Sequence, residues 1–352
     1  MLDCICSTQM AAANIVEHRK ENTRDLMTIL GKRTAPLSRI VFVGSGSSST
    51  SPITARAFVE KVSGLPVEII YPNDFVFNTY VYDENALYVF ISQTGTSKLT
   101  SRAMETAQEK GFDVLAISES RDTPLAIKAG KVMIMDCGRE EYPMRTVGYS
   151  ATVMTCMILG LETGLYYQHL SEEEYENYIA DMSRIAGRQE EVINATLEWM
   201  NSAKRKMLRS DLIVFTGADS LYGVSLEGAM KVWETLQTAS VGYELEEGMH
   251  GPNYGYNSRH CVIVLNNGGR ENDKARALAK YMKEVWGNGF LIGADPLDDD
   301  DLQLPVDSLD TCCIDFASVV QVIAYKSAED QGRDLYKHHD NSRMESYFKT
   351  HS

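Results

Sequence analysis

The stretch Leu87–Thr100, LYVFISQTGTSKLT, decides the fold predicted for this chain. Its first five residues are apolar or aromatic, as in a buried strand, and a segment with helical spacing begins at Lys98. The turn between them, Ser92–Ser97, carries four hydroxyls and one amide, and Gly95 allows a ligand to approach the backbone. A helix N-terminus after a strand gathers unpaired N–H groups and the positive end of the helix dipole. We therefore expect a phosphate-binding turn, although an N-cap with spare hydroxyls fits the same residues.

A second turn rich in glycine and serine lies earlier in the chain. The β-branched run 38–43 leads into GSGSSST at Gly44–Thr50 and then into a helix, which predicts the beginning of a parallel α/β unit. Gly44 and Gly46 fit the opening of the dinucleotide motif GxGxxG, but Ser49 occupies the position of its third glycine. The turn therefore favours a smaller phosphorylated ligand over a dinucleotide.

Strands and helices alternate through the first half of the chain. The strands predicted there are 38–43, 67–71, 87–91, 113–118 and 131–135. This alternation predicts a five-stranded parallel sheet with helices on both faces. A ligand is expected at the carboxyl ends of its strands.

The same pattern begins again after a charged, helical stretch at 171–208. The strands predicted in this second half are 211–215, 261–265, 290–293 and 311–315. The distances along the chain from 43 to 91 and from 216 to 265 are almost equal, which indicates two copies of one α/β unit. The second copy has NNGG at Asn266–Gly269 in place of the hydroxyl-rich turn, so the phosphate site is expected in the first copy.

Composition and charge restrict the classes of function. The chain has 352 residues and a net charge of −15, which argues against sequence-independent binding of nucleic acid. Seven cysteines, an odd number that includes two closely spaced pairs, indicate a reduced, cytoplasmic protein, and no spacing predicts a metal site. We expect no signal peptide, because the first residues lack its pattern. The longest uncharged run, 147–161, is too short for a membrane span.

One long stretch of the second half carries a more specific pattern. Leu226–Pro252 reads LEGAMKVWETLQTASVGYELEEGMHGP, and it accompanies SQTGTS and GSGSSS in the first half. Together these motifs resemble the sugar isomerase (SIS) family, and the long stretch is similar to the isomerase half of glucosamine-6-phosphate synthase, with its LEGALKLKE and downstream HGP. The resemblance implies an α/β fold of two tandem SIS domains. Each would be a five-stranded parallel sheet flanked by helices, in a flavodoxin-like three-layer arrangement.

The resemblance and the strand pattern together predict the domain organisation. The expected segments are an N-terminal helix at 1–34, a first SIS domain at 35–168, a helical linker at 169–207, a second SIS domain at 208–335 and a C-terminal tail at 336–352. The first SIS domain is expected to bind a sugar phosphate. The second is expected to supply the catalytic glutamate and histidine.

The resemblance also implies the site residues. Those expected to bind the sugar phosphate are Ser47, Ser48, Ser92, Gln93, Thr94 and Ser97. Glu234 matches the family glutamate that moves a proton between C1 and C2 of the sugar. His250 matches the histidine of ring opening, which in the family reaches the site of a neighbouring subunit. A homodimer with shared active sites is therefore implied, with no cofactor and no metal.

The chemistry of these two residue types suits the assignment. Aldose–ketose interconversion needs a base that removes a proton beside a carbonyl and returns it to the adjacent carbon, which one carboxylate can do. Opening a cyclic hemiacetal needs an acid or base with a pKa near neutral, as histidine has. Each residue also has a structural alternative: Glu234 could pair with Lys231 on one helix face, and His250 could support a Gly-Pro turn.

The chain departs from the synthase in three places. We expect no glutaminase activity, because the first predicted sheet leaves no room for that domain before it and Cys4 and Cys6 match no nucleophile motif. Where the synthase has a lysine near its C-terminus, this chain has Tyr347, with Lys349 two residues later. Val147 also stands where relatives have lysine, so a Schiff base with the substrate is not favoured.

These observations predict an enzyme of phosphosugar metabolism. The preferred activity is a deglycase or deaminase acting on a 6-phosphorylated fructosamine or amino sugar. The first alternative is a simple aldose–ketose isomerase. The second, from another class, is a regulator that binds a sugar phosphate without converting it, although the N-terminal segment is too short for a helix-turn-helix unit.

Overall fold

A computed structural model describes residues 1–335 and 342–351 of the chain. The predicted tail at 336–352 is therefore described only in part. The described residues contain ten strands. These are β1 (Ile40–Val43), β2 (Val67–Ile70), β3 (Leu87–Ile91), β4 (Asp113–Ser118), β5 (Val132–Ile134), β6 (Leu212–Gly217), β7 (Ala239–Glu244), β8 (His260–Asn266), β9 (Gly289–Gly293) and β10 (Leu302–Gln303).

The same residues contain fifteen α-helices. These are α1 (Leu2–Cys6), α2 (Thr8–Glu17), α3 (Arg19–Asn22), α4 (Arg24–Lys32), α5 (Ser47–Ser63), α6 (Pro72–Phe77), α7 (Lys98–Glu109), α8 (Pro124–Ala129), α9 (Val147–Tyr166), α10 (Glu172–Gly187), α11 (Gln189–Leu208), α12 (Ser220–Thr235), α13 (Asn272–Tyr281), α14 (Cys313–Asp330) and α15 (Ser342–Phe348). Residues 1–34 thus form four short helices and not the single helix predicted from the sequence.

The chain divides into two compact units. The first-sheet unit comprises Met10–Ser183 and His338–Ser352, of which 342–351 are described in the tail. The second-sheet unit comprises Met1–Gln9 and Arg184–Lys337, described as far as 335. The residues at each terminus therefore belong to a different unit from the residues that adjoin them in sequence.

The first sheet is parallel throughout, with the strand order β2-β1-β3-β4-β5. Its central strands β1 and β3 are buried along their whole length. Val41 and Val43 of β1 lie in a core cluster with Phe75 of α6, Met104 of α7 and Leu125 of α8. Helices α5 and α9 pack against each other, and α5 contacts β1 and β2. Strands that are covered on both faces read as continuous apolar runs, which is the pattern seen in IVFV and LYVFI.

The second sheet repeats this arrangement, with the parallel order β10-β9-β8-β6-β7. Strands β6, β7 and β8 correspond to β1, β2 and β3, and the packed pair α12 and α14 corresponds to α5 and α9. The prediction of two five-stranded parallel sheets flanked by helices is confirmed.

Two strands of the second sheet differ from the sequence prediction. Residues 311–315 are not a strand, because they lead into α14, whose buried apolar residues continue to Ala328. A short apolar run alone cannot distinguish a strand from the start of a buried helix. The fifth strand is instead β10, and the edge strand β7 was not predicted because most of its residues are only half-buried.

The order of strands reverses at one point in each sheet. In the first sheet the chain passes from β1 to β2 on one side and then to β3 on the other. In the second sheet it passes from β6 to β7 and then to β8. The turns that follow the two adjacent strands diverge there, which leaves a crevice at the carboxyl edge of the sheet. We call these the first crevice (after β1 and β3) and the second crevice (after β6 and β8).

Candidate functional site

One wall of the first crevice is the turn from β1 into α5. Gly44 must be glycine, because a Cβ there would lie 2.5 Å from the backbone oxygen of Ser48. Gly46 precedes the helix with φ +61°, in the region that glycine adopts readily. Ser47 and Ser48 are then the first residues of α5, both partly exposed, and the first turn of this helix carries no acidic residue.

The opposite wall is the predicted turn from β3 into α7. The amide of Gly95 donates to the carbonyl of Ser92 over 3.1 Å and closes the turn. Gly95 has φ +69°, and a Cβ on it would lie 2.7 Å from Cβ of Thr123. Ser118 at the end of β4 donates its hydroxyl to the carbonyls of Ser92 and Gln93, at 2.8 and 2.9 Å. The neighbouring strand therefore supports the turn from behind, where the sequence shows only a lone serine.

The hydroxyls of this turn are held close to the start of α7. Oγ1 of Thr94 lies 2.9 Å from Oγ1 of Thr96, and Oγ of Ser97, the N-cap residue, lies 3.0 Å from Oγ1 of Thr100. The first turn of α7, like that of α5, has no acidic residue. Since β1 and β3 are hydrogen-bonded neighbours, two helix N-termini and a set of hydroxyls meet at one edge of the sheet, where an anion is stabilised.

Gln93 has a different environment from the five predicted hydroxyl residues. Its side chain is buried, and Nε2 donates to Oε2 of Glu140 over 3.3 Å. Oε1 lies against the first turn of α9, where a Cβ on Gly148 would be only 1.9 Å away from it. The amide is thus enclosed by protein and holds the turn against α9.

Glu140 is a site-supporting residue that the sequence analysis missed. Its buried carboxylate accepts hydrogen bonds from N and Oγ1 of Thr146, both at 2.7 Å, and from N of Gly148 at 3.2 Å. It therefore satisfies the free N–H groups at the start of α9. No capping motif marks Glu140 in the sequence, because a loop of five residues separates it from Thr146.

The described part of the tail lies at the start of α7. The amide of Lys98 donates to the carbonyl of Thr350 over 3.1 Å, and Ser97 and His351 form an antiparallel bridge. The carboxylate of Glu345 accepts from Oγ1 of Thr350 at 2.7 Å and from N of His351 at 3.1 Å. Bonds from His351 and Thr350 lower the pKa of Glu345 to about 2.

The two tail residues predicted to replace the synthase lysine have separate environments. Tyr347 is on α15 with 74% of its surface exposed. Lys349 follows this helix with φ +52°, which is an unusual conformation for a residue other than glycine. The side chain of Tyr347 thus faces solvent in this unit.

The second crevice carries a different set of groups. Asp219 is the N-cap residue of α12, and its Oδ1 is 2.7 Å from Nη2 of Arg270. In the other turn, the Asn266 side chain donates to Asn272 and to the carbonyl of Ala294, at 2.7 and 2.9 Å. The Asp219 carboxylate makes no capping hydrogen bond to α12, and its negative charge disfavours a second anion at this helix N-terminus.

Glu234 lies near the end of α12 beside a buried lysine. Nζ of Lys231 is 2.5 Å from Oε2 of Glu234 and 3.4 Å from Oε1 of Glu227. The side chains of Lys231 and Glu227 are 1% and 0% exposed, whereas that of Glu234 is 33% exposed. The pairing with Lys231 considered from the sequence is therefore present, and the Glu234 carboxylate still reaches the surface of the chain.

His250 lies on the loop that follows β7. Its side chain is 67% exposed, and Nδ1 is 3.0 Å from the carbonyl oxygen of Glu246. Tyr256 steadies this loop by donating its hydroxyl to the carbonyl of Gly248 over 3.0 Å. A hydrogen bond from Lys274 lowers the pKa of Glu246.

In the second-sheet unit, Glu234 lies near the amino ends of the strands, whereas His250 lies beyond their carboxyl ends. Helix α12 begins at the carboxyl edge, and Glu234 comes fourteen residues after Ser220, or about 21 Å along the axis. Near that end, Nε1 of Trp233 donates to the carbonyl of Ser240, at the start of β7, over 2.6 Å. His250 follows the other end of β7. The unit by itself does not bring the two residues together.

Two further features concern metals and membranes. Among the described residues, no group of three or more His, Cys, Asp or Glu side chains has an arrangement that could hold a metal ion. Within the same residues, no helix is long and apolar enough to span a membrane.

Known proteins resemble this chain both in sequence and in fold. Residues 35–161 match the model of the SIS domain. The chain is 24% identical over 309 residues to the glutamine–fructose-6-phosphate aminotransferase [isomerizing] of Gloeobacter violaceus, which covers 86% of this chain. The matched part spans 50% of the length of that relative, so this chain corresponds to about half of it.

Solved structures share the fold over almost the whole chain. The C-terminal domain of glucosamine-fructose-6-phosphate aminotransferase from Francisella tularensis has a TM-score of 0.85 at 17% identity, covering 95% of this chain and 97% of its own. Glucosamine-6-phosphate deaminase from Thermotoga maritima has a TM-score of 0.73 at 19% identity, covering 95% and 98%. Residues 35–161 therefore match a SIS domain, and the chain is similar to about half of the glutamine–fructose-6-phosphate aminotransferase of Gloeobacter violaceus.

Proposed function

We propose that this chain is a phosphosugar-processing enzyme, a deglycase or deaminase that acts on a 6-phosphorylated fructosamine or amino sugar. The observation that carries the proposal is the first crevice. There the N-termini of α5 and α7 meet at one sheet edge, lined by Ser47, Ser48, Ser92, Thr94 and Ser97, and neither first turn carries an acidic residue. This arrangement suits the dianionic phosphate of a sugar.

In this proposal Glu234 carries the proton during the reaction. With a fructosamine 6-phosphate, its carboxylate takes a proton from C1 to form an enaminol and returns a proton to C2, which leaves a C1=N imine. Water adds to C1 and the C–N bond breaks, releasing the amine and a hexose 6-phosphate. Lys231, 2.5 Å from Oε2, holds the carboxylate in place during both transfers.

His250 is proposed to open the sugar ring in a site formed with a second copy of the chain. This part of the proposal is supported by the exposed position of His250 and by its location at the sheet edge opposite Glu234. A dimer in which each copy lends its histidine to the other would use both residues. The seven free cysteines support a cytoplasmic location for this homodimer.

Two other activities follow from the same site. A simple aldose–ketose isomerase would use the same transfer between C1 and C2 without loss of an amine, and the word "isomerizing" in the name of the aminotransferase relative favours this candidate. A regulator would bind the sugar phosphate and leave it unchanged. The accessible carboxylate of Glu234 beside a buried lysine supports an enzyme over a regulator.

The test is an NMR time course in deuterated water with fructosamine 6-phosphates, glucosamine 6-phosphate, and fructose 6-phosphate with ammonia. Release of an amine with deuterium entering the hexose is the expected result. Interconversion without amine loss would identify the isomerase. Saturable binding with no exchange in any sample would contradict an enzyme acting on these sugars and favour the regulator.

A further inference from the structure

Glu119 is a charged residue beside the candidate phosphate turn. It directly follows β4, and its amide donates to the carbonyl of Gln93 over 2.9 Å. Ile91 and Ile117 are paired in the register of β3 and β4. Two residues further on, Gln93 and Glu119 therefore project from the same face of the sheet, the face that α9 covers at Gly148.

The carboxylate of Glu119 is incompletely satisfied. Its Oε2 is buried and has no hydrogen-bond partner among the residues that the structure describes. A buried acceptor without a donor lowers the stability of a fold, so its retention calls for a physical explanation. Burial also raises the pKa of this carboxyl, although the nearby Arg145, Gln93 and Arg139 favour its ionised form.

Gln93 connects Glu119 to the turn. Its amide nitrogen donates to Glu140 on one side and lies close enough to Glu119 on the other to favour the ionised carboxylate. An amide nitrogen has two N–H groups, so two carboxylates can hold it with Oε1 directed at Gly148. A protonated carboxyl at Glu119 would become a donor and would no longer fix this orientation.

We propose that Glu119 is a positioning residue for sugar-phosphate binding: acting through Gln93, its ionised carboxylate holds the Ser92–Ser97 turn in the binding conformation, and its protonation loosens the turn. The inference rests on the proposed function of the first crevice. The charged and titratable groups that face Glu119 are Arg139, Arg145, Glu140 and the thiol of Cys137. Arg145 is itself held by the carbonyls of Glu140 and Tyr142, at 2.8 and 3.2 Å.

The first test compares Glu119→Gln with the parent protein. The substitution keeps the shape and removes the charge. We expect KM for the sugar phosphate to rise about fivefold with kcat within twofold, and the thermal midpoint to stay unchanged. Removal of a nearby negative charge would by itself tighten the binding of an anion. Equal or tighter binding by the variant would therefore overturn the proposal.

The second test measures the pH dependence with a hexose 6-sulfate, whose charge is constant between pH 4 and 8. Over this range we expect the affinity of the parent protein, relative to that of Glu119→Gln, to fall as the pH decreases. Glu105→Gln, on the exposed surface of α7 and paired with Lys128, is the control and should follow the parent protein. Parallel curves for the parent protein and Glu119→Gln would contradict the role of its protonation.

A double-mutant cycle guards against a merely structural explanation. If Glu119 acts through Gln93, then Gln93→Ala should abolish the effect of adding Glu119→Gln, so the two effects will not add. Additive effects would reject the pathway through Gln93. Failure of the proposed function is distinguishable, because the parent protein would then release no amine from any of the sugar phosphates, whereas the effect of Glu119→Gln on the affinity for the sulfate would still be measured.

Discussion

The two crevices share one topology and present opposite chemistry. In each sheet the reversal of strand order leaves a gap between two βα turns at the carboxyl edge. The first crevice is lined by hydroxyls at two helix N-termini without acidic residues, whereas the second contains the Asp219–Arg270 ion pair. The fold therefore supplies a location for a ligand, and the turn residues decide whether an anion is accepted there.

Helices α5 and α12, which begin at the two crevices, also carry different side chains at corresponding positions. On α5, the hydroxyl of Thr54 lies 2.6 Å from the hydroxyl of Tyr149, and both are buried. On α12, the corresponding stretch carries Lys231 between Glu227 and Glu234. We infer that one copy of the unit is suited to binding a phosphate and the other to moving a proton.

Glu234→Gln tests the catalytic half of this comparison most severely. We expect kcat to fall by about a thousandfold, because the variant loses its proton carrier, with KM changing only a few-fold. Steady-state kinetics with the substrate identified by NMR provides the measurement. Glu198→Gln, on the exposed surface of α11, serves as the control. Full activity in Glu234→Gln would reject the assignment of this residue.

A pH titration of stability compares α9 and α14, the helices that pack against α5 and α12. Helix α9 begins at the capping carboxylate of Glu140, whereas α14 carries the buried Asp315, bonded by Arg188 and Gln189. Burial raises the pKa of Asp315 to about 6 from 3.8. The folded state therefore retains a proton that the unfolded state releases, so this group lowers stability by up to roughly 3 kcal/mol as pH rises from about 4 to about 6.

Asp315→Asn should remove that pH dependence. The variant is neutral at every pH, so its free energy of unfolding will decline less between pH 4 and pH 6 than that of the parent protein. Denaturant unfolding at several pH values measures both slopes. Identical slopes would show that Asp315 does not titrate in this range.

Ser92→Ala combined with Thr94→Ala tests the binding half of the comparison. We expect the affinity for the sugar phosphate to fall about thirtyfold, or about 2 kcal/mol, because hydrogen bonds to a charged ligand are lost. Calorimetry would be done with both substitutions made in the Glu234→Gln protein, so that binding of the substrate is measured without turnover. Unchanged affinity would mean that these hydroxyls only cap the helix.

Asp219→Asn should give the smallest effect. If the second crevice binds no phosphate, loss of its carboxylate will change the affinity for the sugar phosphate by less than twofold. The same calorimetric titration measures it. A large gain or loss of affinity would show that the second crevice takes part in binding and that the two copies are less specialised than we propose.

The sequence was sufficient for most of the architecture. Continuous apolar runs such as IVFV and LYVFI, each followed by a glycine-containing turn and a helix, predicted the central strands of the first sheet correctly. It was insufficient for β7 and for the start of α14. The first is a half-buried edge strand, and the second is a short apolar run that fits two periodicities.

By itself the sequence determined the two α/β copies, the position of the hydroxyl-rich turn and its absence from the second copy, since these depend on residue type and local spacing. Only the tertiary structure decided which groups meet. It brings Glu140 and Gly148 around Gln93 and places Glu119 beside the turn, although these residues are distant in sequence. It also separates Glu234 from His250. Such contacts depend on strand order and helix length, which no local pattern of residues specifies.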